Sequence, residues 1–269
     1  MSTSTAPIEI GRVALTVNDI DSVAAFYEAA LGLEPLGADG ATRRLGAGGR
    51  TLLELRADRT ARRASPREAG LFHTAFLMPD RAALARWLVH AAESGHRLQG
   101  ASDHLVSEAI YLADPEGNGI EVYVDRPRDQ WPHENGKLRM ATDPLDLNAL
   151  ARDADGPWRG APEGMVVGHV HLQVGAVPEA EAFYAGQIGF EVTTHYPGAA
   201  FYGSGGYHHH LATNVWNSRG AGARTYPATG LADLELRATP EEYGRIAASA
   251  GAALTDPWGT SVTVALKAA

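Results

Sequence analysis

Cysteine is absent from all 269 residues. That excludes disulfides, thiolate metal sites and a cysteine nucleophile. Long apolar runs are also missing, and none approaches the roughly 18 residues needed to span a bilayer. Positive charge is in short supply: 23 Lys and Arg stand against 32 Asp and Glu, for a net charge of −9. Such a balance argues against nucleic acid and anionic membrane as partners. The segment Met1–Pro7 is rich in Ser and Thr but has no apolar core, so it reads as a frayed tail and not a signal peptide. A cytoplasmic location is the expectation. What remains is an ordinary globular composition, 45% apolar and 20% charged. It includes 11 histidines, which point any metal site toward imidazole and carboxylate ligands.

The chain repeats itself. Gly11-Arg12-Val13-Ala14-Leu15-Thr16-Val17 is matched by Gly168-His169-Val170-His171-Leu172-Gln173-Val174, Tyr27 by Tyr184 and Gly32 by Gly189, all at an offset of 157 residues. A constant offset marks a duplicated folding unit. Each half reads as two units of strand, amphipathic helix and further strands. Unit one covers Ile8–Asp58, unit two Gly70–Asp125, unit three Met165–Trp216, and unit four runs from Gly230 onward. Asn18-Asp19 and Pro79-Asp80 are helix starts, and Gly32, Gly95 and Gly189 are stops. Gly95 matches Gly251 at 156, but Asp114-Pro115 matches Asp256-Pro257 at 142, so unit four lacks 14 residues, about one strand and a turn. The predicted architecture is α+β: four βαβββ modules in two tandem halves, each half a cup-shaped, half-open barrel. The N-terminal domain is 8–125, the C-terminal domain 165–269. The stretch 126–164, rich in Pro, Asp and Gly with one short helix candidate at Leu145–Ala151, is a linker packed on the surface.

Strand residues at i and i+2 share a face. His169, His171 and Gln173 therefore line one wall, as do His208 and His210 if Tyr207–Asn214 is extended. Two His-bearing strands can converge on one ion, with Asp233 or Glu235 as the carboxylate. The metal set read this way is His169, His210 and Asp233. Each residue has a plainer role open to it: a lone strand histidine is more often packed or surface-exposed, and Asp233 could cap a strand end. A second candidate site in the first half comprises His73, Glu121 and Glu54. There Arg12 occupies the place of His169, and its fixed charge could instead fill the cup by pairing with Glu54 or Glu121. Phe201, Tyr202, Tyr207 and Trp216 could stack on a planar ring or simply pack. No phosphate loop or nucleophile elbow is present.

The segments Gly168-His169-Val170-His171-Leu172, Gly206-Tyr207-His208-His209-His210, Gly100-Ala101-Ser102-Asp103-His104 with Ser107-Glu108-Ala109, and Asp114-Pro115-Glu116-Gly117-Asn118-Gly119-Ile120-Glu121 resemble the vicinal oxygen chelate superfamily. That superfamily groups glyoxalase I, bleomycin- and fosfomycin-resistance proteins and extradiol dioxygenases. The likeness covers nearly the whole chain outside the linker and is strongest to Bacillus-type catechol 2,3-dioxygenase-like proteins. It implies a divalent metal, Fe(II) before Mn, Zn or Ni, and a small aromatic diol and dioxygen as reactants. By analogy it also implies a homodimer. In the extradiol enzymes iron is held by a His on the third unit's first strand, a His on the fourth unit's first strand and a Glu on the last strand. His169 matches the first; Asp233 and Thr263 depart at the other two. A His-His pair that supplies the acid/base is matched by the catalytic candidates His208 and His209, and His210 lies where glyoxalase I has a Glu ligand. The ligand positions of one glyoxalase I barrel map onto Arg12, Glu54, His73 and Glu121, with only Arg12 departing. The leading expectation is extradiol ring cleavage of a catechol-like diol. The alternatives are a glyoxalase-type metal-dependent isomerase or lyase, and a metal-free binding protein for aromatic or drug-like molecules.

Overall fold

A computed structural model describes residues 5–251 and 253–267. The first module is β1 (Ile8–Val17), α1 (Ile20–Leu31), β2 (Glu34–Asp39), β3 (Thr42–Ala47) and β4 (Arg50–Ala57). The second is β5 (Gly70–Leu77), α2 (Arg81–Glu93), β6 (Gly100–Asp103), β7 (Ser107–Ala113) and β8 (Gly119–Asp125). The connecting stretch carries three two-residue strands, β9 (His133–Glu134), β10 (Lys137–Leu138) and β11 (Asp143–Pro144), and a short helix, α3 (Leu147–Ala151). The third module is β12 (Val166–Gln173), α4 (Val177–Glu181) running into a π-helical turn at Ala182–Gln187, then β13 (Glu191–Tyr196), β14 (Ala199–Gly203) and β15 (Leu211–Asn214). The fourth is β16 (Gly230–Ala238), α5 (Pro240–Ala250), β17 (Ala253–Thr255) and β18 (Ser261–Leu266), one strand fewer than the others.

Local chemistry sets the element ends. Asp19 caps α1 by accepting from the Ser22 amide, Asp80 caps α2 from Ala83, and Thr239 caps α5 from Glu242. Each cap satisfies an amide with no intrahelical partner and stabilises its helix by about 1 kcal/mol. Gly32 then closes α1 at φ 65°, a left-handed geometry that glycine adopts without strain.

The strand order departs from two self-contained halves. A seven-stranded sheet runs β17-β18-β16-β1-β4-β3-β2, joining modules four and one. A nine-stranded sheet runs β11-β6-β7-β8-β5-β12-β15-β14-β13, joining modules two and three. The seams are antiparallel pairs, β1 with β16 and β5 with β12. Each curled half-barrel sheet is thus built from one module of each half, and spacing along the chain could not reveal that pairing. Within a half, a repeated contact ties one sheet to the other. Tyr27 of α1 donates to Asp114 in the turn before β8, and Tyr184 donates to Asp256 in the turn before β18.

Alternation sorts the nine-stranded sheet into two faces. Thr74 and Phe76 on β5, Val122 and Val124 on β8, and Val170 and Leu172 on β12 face one way. The apolar members of this set join a single core cluster with Val13 and Leu15 of β1, Val23 and Tyr27 of α1, and Leu84 and Trp87 of α2. The opposite, concave face carries His73, Glu121, Tyr123, Tyr111, His169 and His171. The N-terminal tail departs in part from the frayed reading: Met1–Ser4 lie outside the described residues, but Ala6 is buried and its carbonyl accepts from Lys267 Nζ. The connecting stretch is more than a tether, since β11 extends the nine-stranded sheet by pairing with β6. Among the described residues no helix is long and apolar enough to cross a membrane.

Candidate metal centre

Three adjacent strands, β8, β5 and β12, place one side chain each at the floor of the concave face. His73 Nε2 lies 2.9 Å from Glu121 Oε2, and His169 Nε2 lies 3.2 Å from the same oxygen. One ligand atom from each of the three residues falls within 4.8 Å of the other two. All three side chains are buried. His73 Nε2 makes no aligned hydrogen bond, although it is shielded from solvent. Two imidazole nitrogens thus aim at a single carboxylate oxygen, and one of them has no hydrogen-bonding role. Two imidazoles and a carboxylate are a donor set suited to a divalent metal. Burial, with Glu121 opposing, pushes His169 down to about 4, which favours the neutral ring whose lone pair could bind a metal. Burial also works against ionised Glu121, but His169 and His73 beside it hold its carboxyl well below the usual carboxylate range.

Reaching this geometry takes a bulge. The register between β12 and β5 shifts between Val167 and His169, at Gly168. A Cβ on Gly168 would sit 1.9 Å from the Tyr123 hydroxyl, so only glycine lets that ring pass. Gly11 holds the corresponding place on β1, where a Cβ would meet Glu235 Oε1 at 2.4 Å.

Above the floor lies a cavity of about 350 Å³, in the range of small-molecule sites. His209 reaches into it with its ring 4.2 Å from that of His169. Behind His209 runs a chain of contacts: His209 Nδ1 to His208 Nδ1 at 2.7 Å, and His208 Nε2 to Asp125 Oδ1 at 2.8 Å. Tyr207 also donates to Asp125, at 3.1 Å. Burial pushes His209 well below the ordinary imidazole range. On the far wall Tyr111 stands directly across from Glu121 in the β7–β8 ladder. Its hydroxyl is 2.6 Å from His104 Nε2, while His104 Nδ1 donates to the Ala141 carbonyl at 2.6 Å. Burial, and then Glu121, raises the Tyr111 phenol well above its usual value.

The placement of the sequence candidates is therefore mixed. His169 joins His73 and Glu121, uniting the first member of one expected set with two of the other. His210 does not join them. Its ring is fully buried beside Tyr207 and Phe190, and among the described residues neither nitrogen has a hydrogen-bond partner. Asp233 does not join them either, because β16 pairs with β1 in the other sheet. There it lies 3.3 Å from Arg12 Nη1 and accepts from Ser261 and Thr263. Glu54 is held in the same sheet by Arg12 and by Arg56, and Arg12 also meets Glu235. Arg12 thus fills the second cup, with Asp233 and Glu235 beside Glu54 and without Glu121. The extended reading of His208–His210 fails as well. The residues from Ser204 to His210 form a loop, and β15 begins only at Leu211. Freed from alternation, His208 turns to Asp125, His209 to the cavity and His210 to the interior. Tyr111 and His104 were not singled out for a role. The available signal was parity: Tyr111 and Glu121 are partners in a hairpin whose turn is Asp114–Gly119.

The fold and this floor define the class. The family model of the Glyoxalase/Bleomycin resistance protein/Dioxygenase superfamily matches residues 9–122, and the chain belongs to that family. It is 37% identical over 232 residues to a Bacillus subtilis (strain 168) protein named catechol-2,3-dioxygenase, covering 82% of this chain and 80% of that one. Among solved structures it is similar to a putative dioxygenase from Bacillus subtilis (TM-score 0.62, 12% identity, 96% of this chain and 84% of the other). Glyoxalase I from Zea mays gives a TM-score of 0.56 at 13% identity, over 96% and 92% of the two chains. At these identities the structural matches speak to the fold alone.

Proposed function

We propose that the protein is an extradiol ring-cleaving dioxygenase acting on a catechol-like diol, with Fe(II) held by His73, Glu121 and His169. The observation that carries the reading is the convergence of those three ligand atoms within 4.8 Å at the floor of a cavity. The similarity to a protein named catechol-2,3-dioxygenase supports the reaction class. Two histidines and one carboxylate on one face form the donor set of non-haem Fe(II) oxygenases. A ferrous ion held there would acidify a catechol hydroxyl and activate dioxygen. In the overall reaction both atoms of dioxygen enter the product, the ring carbon–carbon bond beside the diol breaks, and no external reductant is consumed.

The remaining tasks fall to the chain's own residues. Asp125 only accepts, so His208 Nε2 carries a proton toward it. His208 Nδ1 is then the acceptor for His209 Nδ1–H, which leaves the lone pair of His209 on Nε2. That atom takes the second diol proton and returns it to the product. His208, expected to share the catalytic role, orients His209 instead. Tyr111 donates to His104, whose tautomer is set by the Ala141 carbonyl, and together they form a polar wall that keeps the diol facing the floor.

The test is elemental analysis of anaerobically purified protein, together with oxygen uptake on catechol. One metal ion per chain is expected, lost in His73→Ala, His169→Ala and Glu121→Ala but retained in His210→Ala and Asp233→Asn. Turnover of a carbonyl or thiol adduct without dioxygen would favour the isomerase reading, and stoichiometric ligand binding with no metal would favour the binding protein. Metal content untouched by His73→Ala would defeat this assignment.

A further inference from the structure

The cavity's other walls speak to which diols it takes. From the ligand His73 an aromatic path leads outward: Phe72 lies 5.3 Å from the His73 ring and 5.6 Å from Trp216, edge to face. Phe201 closes the adjacent side, 5.0 Å from His209. At the mouth Trp216 and Tyr196 are 46% and 48% exposed, and Met140 from the connecting stretch faces the same space. Among the described residues lining the cavity none is Lys or Arg. His195, also part of the lining, is already engaged by Glu181 Oε1 at 2.7 Å. The one carboxylate inside, Glu121, sits on the floor.

Taking the extradiol reading as its basis, we infer that the site selects neutral catechols bearing an apolar substituent and rejects catechols bearing a carboxylate. With the diol on the floor, a substituent lies along the path of Phe72, Phe201 and Trp216. An alkyl or aryl group gains burial there. A ring carboxylate would lose water and meet no Lys or Arg along that path; neutral polar groups of the lining such as Gln99, Ser102 and Thr142 offer hydrogen bonds but no counter-charge.

The experiment compares catechol, 4-ethylcatechol and 3,4-dihydroxybenzoate on the Fe(II)-loaded protein by kcat/KM. A parallel arm records the anaerobic thermal shift of the same protein with each diol. The ethyl compound is expected to equal or exceed catechol, and the acid to fall at least about 100-fold below it. In the thermal-shift arm the ethyl compound stabilises at concentrations where the acid does not. Trp216→Ala, at an exposed position, is expected to raise KM for 4-ethylcatechol about tenfold and for catechol less than threefold. Trp216→Arg is expected to recover at least tenfold of the deficit for the acid. Cleavage of the acid within tenfold of the ethyl compound would overturn the inference and leave the reaction class intact. If no diol is cleaved, the reaction class fails, and the thermal-shift arm alone decides selectivity: equal stabilisation by acid and ethyl compound would overturn it.

Discussion

Asp125 and His210 differ in how their polar atoms are met: Asp125 is engaged by His208 and Tyr207, whereas neither ring nitrogen of His210 is engaged among the described residues. Asp125 acts through two imidazoles on the lone pair of His209, so its substitution should alter chemistry without touching the floor. Asp125→Asn can turn an amide N–H toward His208 Nε2 and reverse both tautomers. The expected result is a kcat loss of roughly 10²–10⁴-fold, with KM and metal content nearly unchanged; equal loss of metal would assign Asp125 a structural role. His210 is a buried ring whose two nitrogens find no hydrogen-bond partner among the described residues. Burial depresses its folded-state pKa well below 6.5, and does the same for His171 and His209. The unfolded chain therefore binds more protons than the folded one as pH falls below about 6.5. Stability is fully present above that value and is lost as pH drops. Denaturant titrations of metal-free protein between pH 7.5 and pH 5 should show this decline, and His210→Phe should make it shallower.

At the scale of elements, the bulge at Gly168 and the loop before β15 decide what the site contains. Gly168→Ala drives a methyl group into the Tyr123 hydroxyl and should destabilise by roughly 1–3 kcal/mol. Pairing it with Tyr123→Phe removes the 1.9 Å clash but leaves the ring carbon at 2.9 Å, so only part of the loss should return in a double-mutant cycle. These two elements also mark where sequence reasoning stopped. The duplication was legible because Tyr27, Tyr184 and their glycines keep one offset, and the ligand types were legible because strand parity singled out His169. Parity misled at His208–His210, since Gly205 and Gly206 adopt positive φ and end the extended run before the histidines arrive. The pairing of ligands into one site was illegible for another reason. Which module lies beside which is a tertiary choice, and nothing in the spacing of Asp233 or His73 records it.

Across the whole molecule the two sheets are pseudo-equivalent but not alike. One presents His73, Glu121 and His169; the other has Arg12 surrounded by Glu54, Asp233 and Glu235. Removing the guanidinium leaves three carboxylates facing one another, and Arg12→Met should cost about 3 kcal/mol. A chelator should not change that loss, because the proposed metal ligands lie in the other sheet. By contrast, metal added to the intact chain should raise its melting temperature by mass action, and His169→Ala should abolish the rise.

The connection from β11 to β6 and the seam between β5 and β12 have a consequence for how such a gene can change. Each tandem copy contributes to the floor of His73, Glu121 and His169, and neither carries a whole one. Loss of either copy would therefore dismantle that floor. In the second sheet the Arg12 guanidinium supplies the positive charge among Glu54, Asp233 and Glu235.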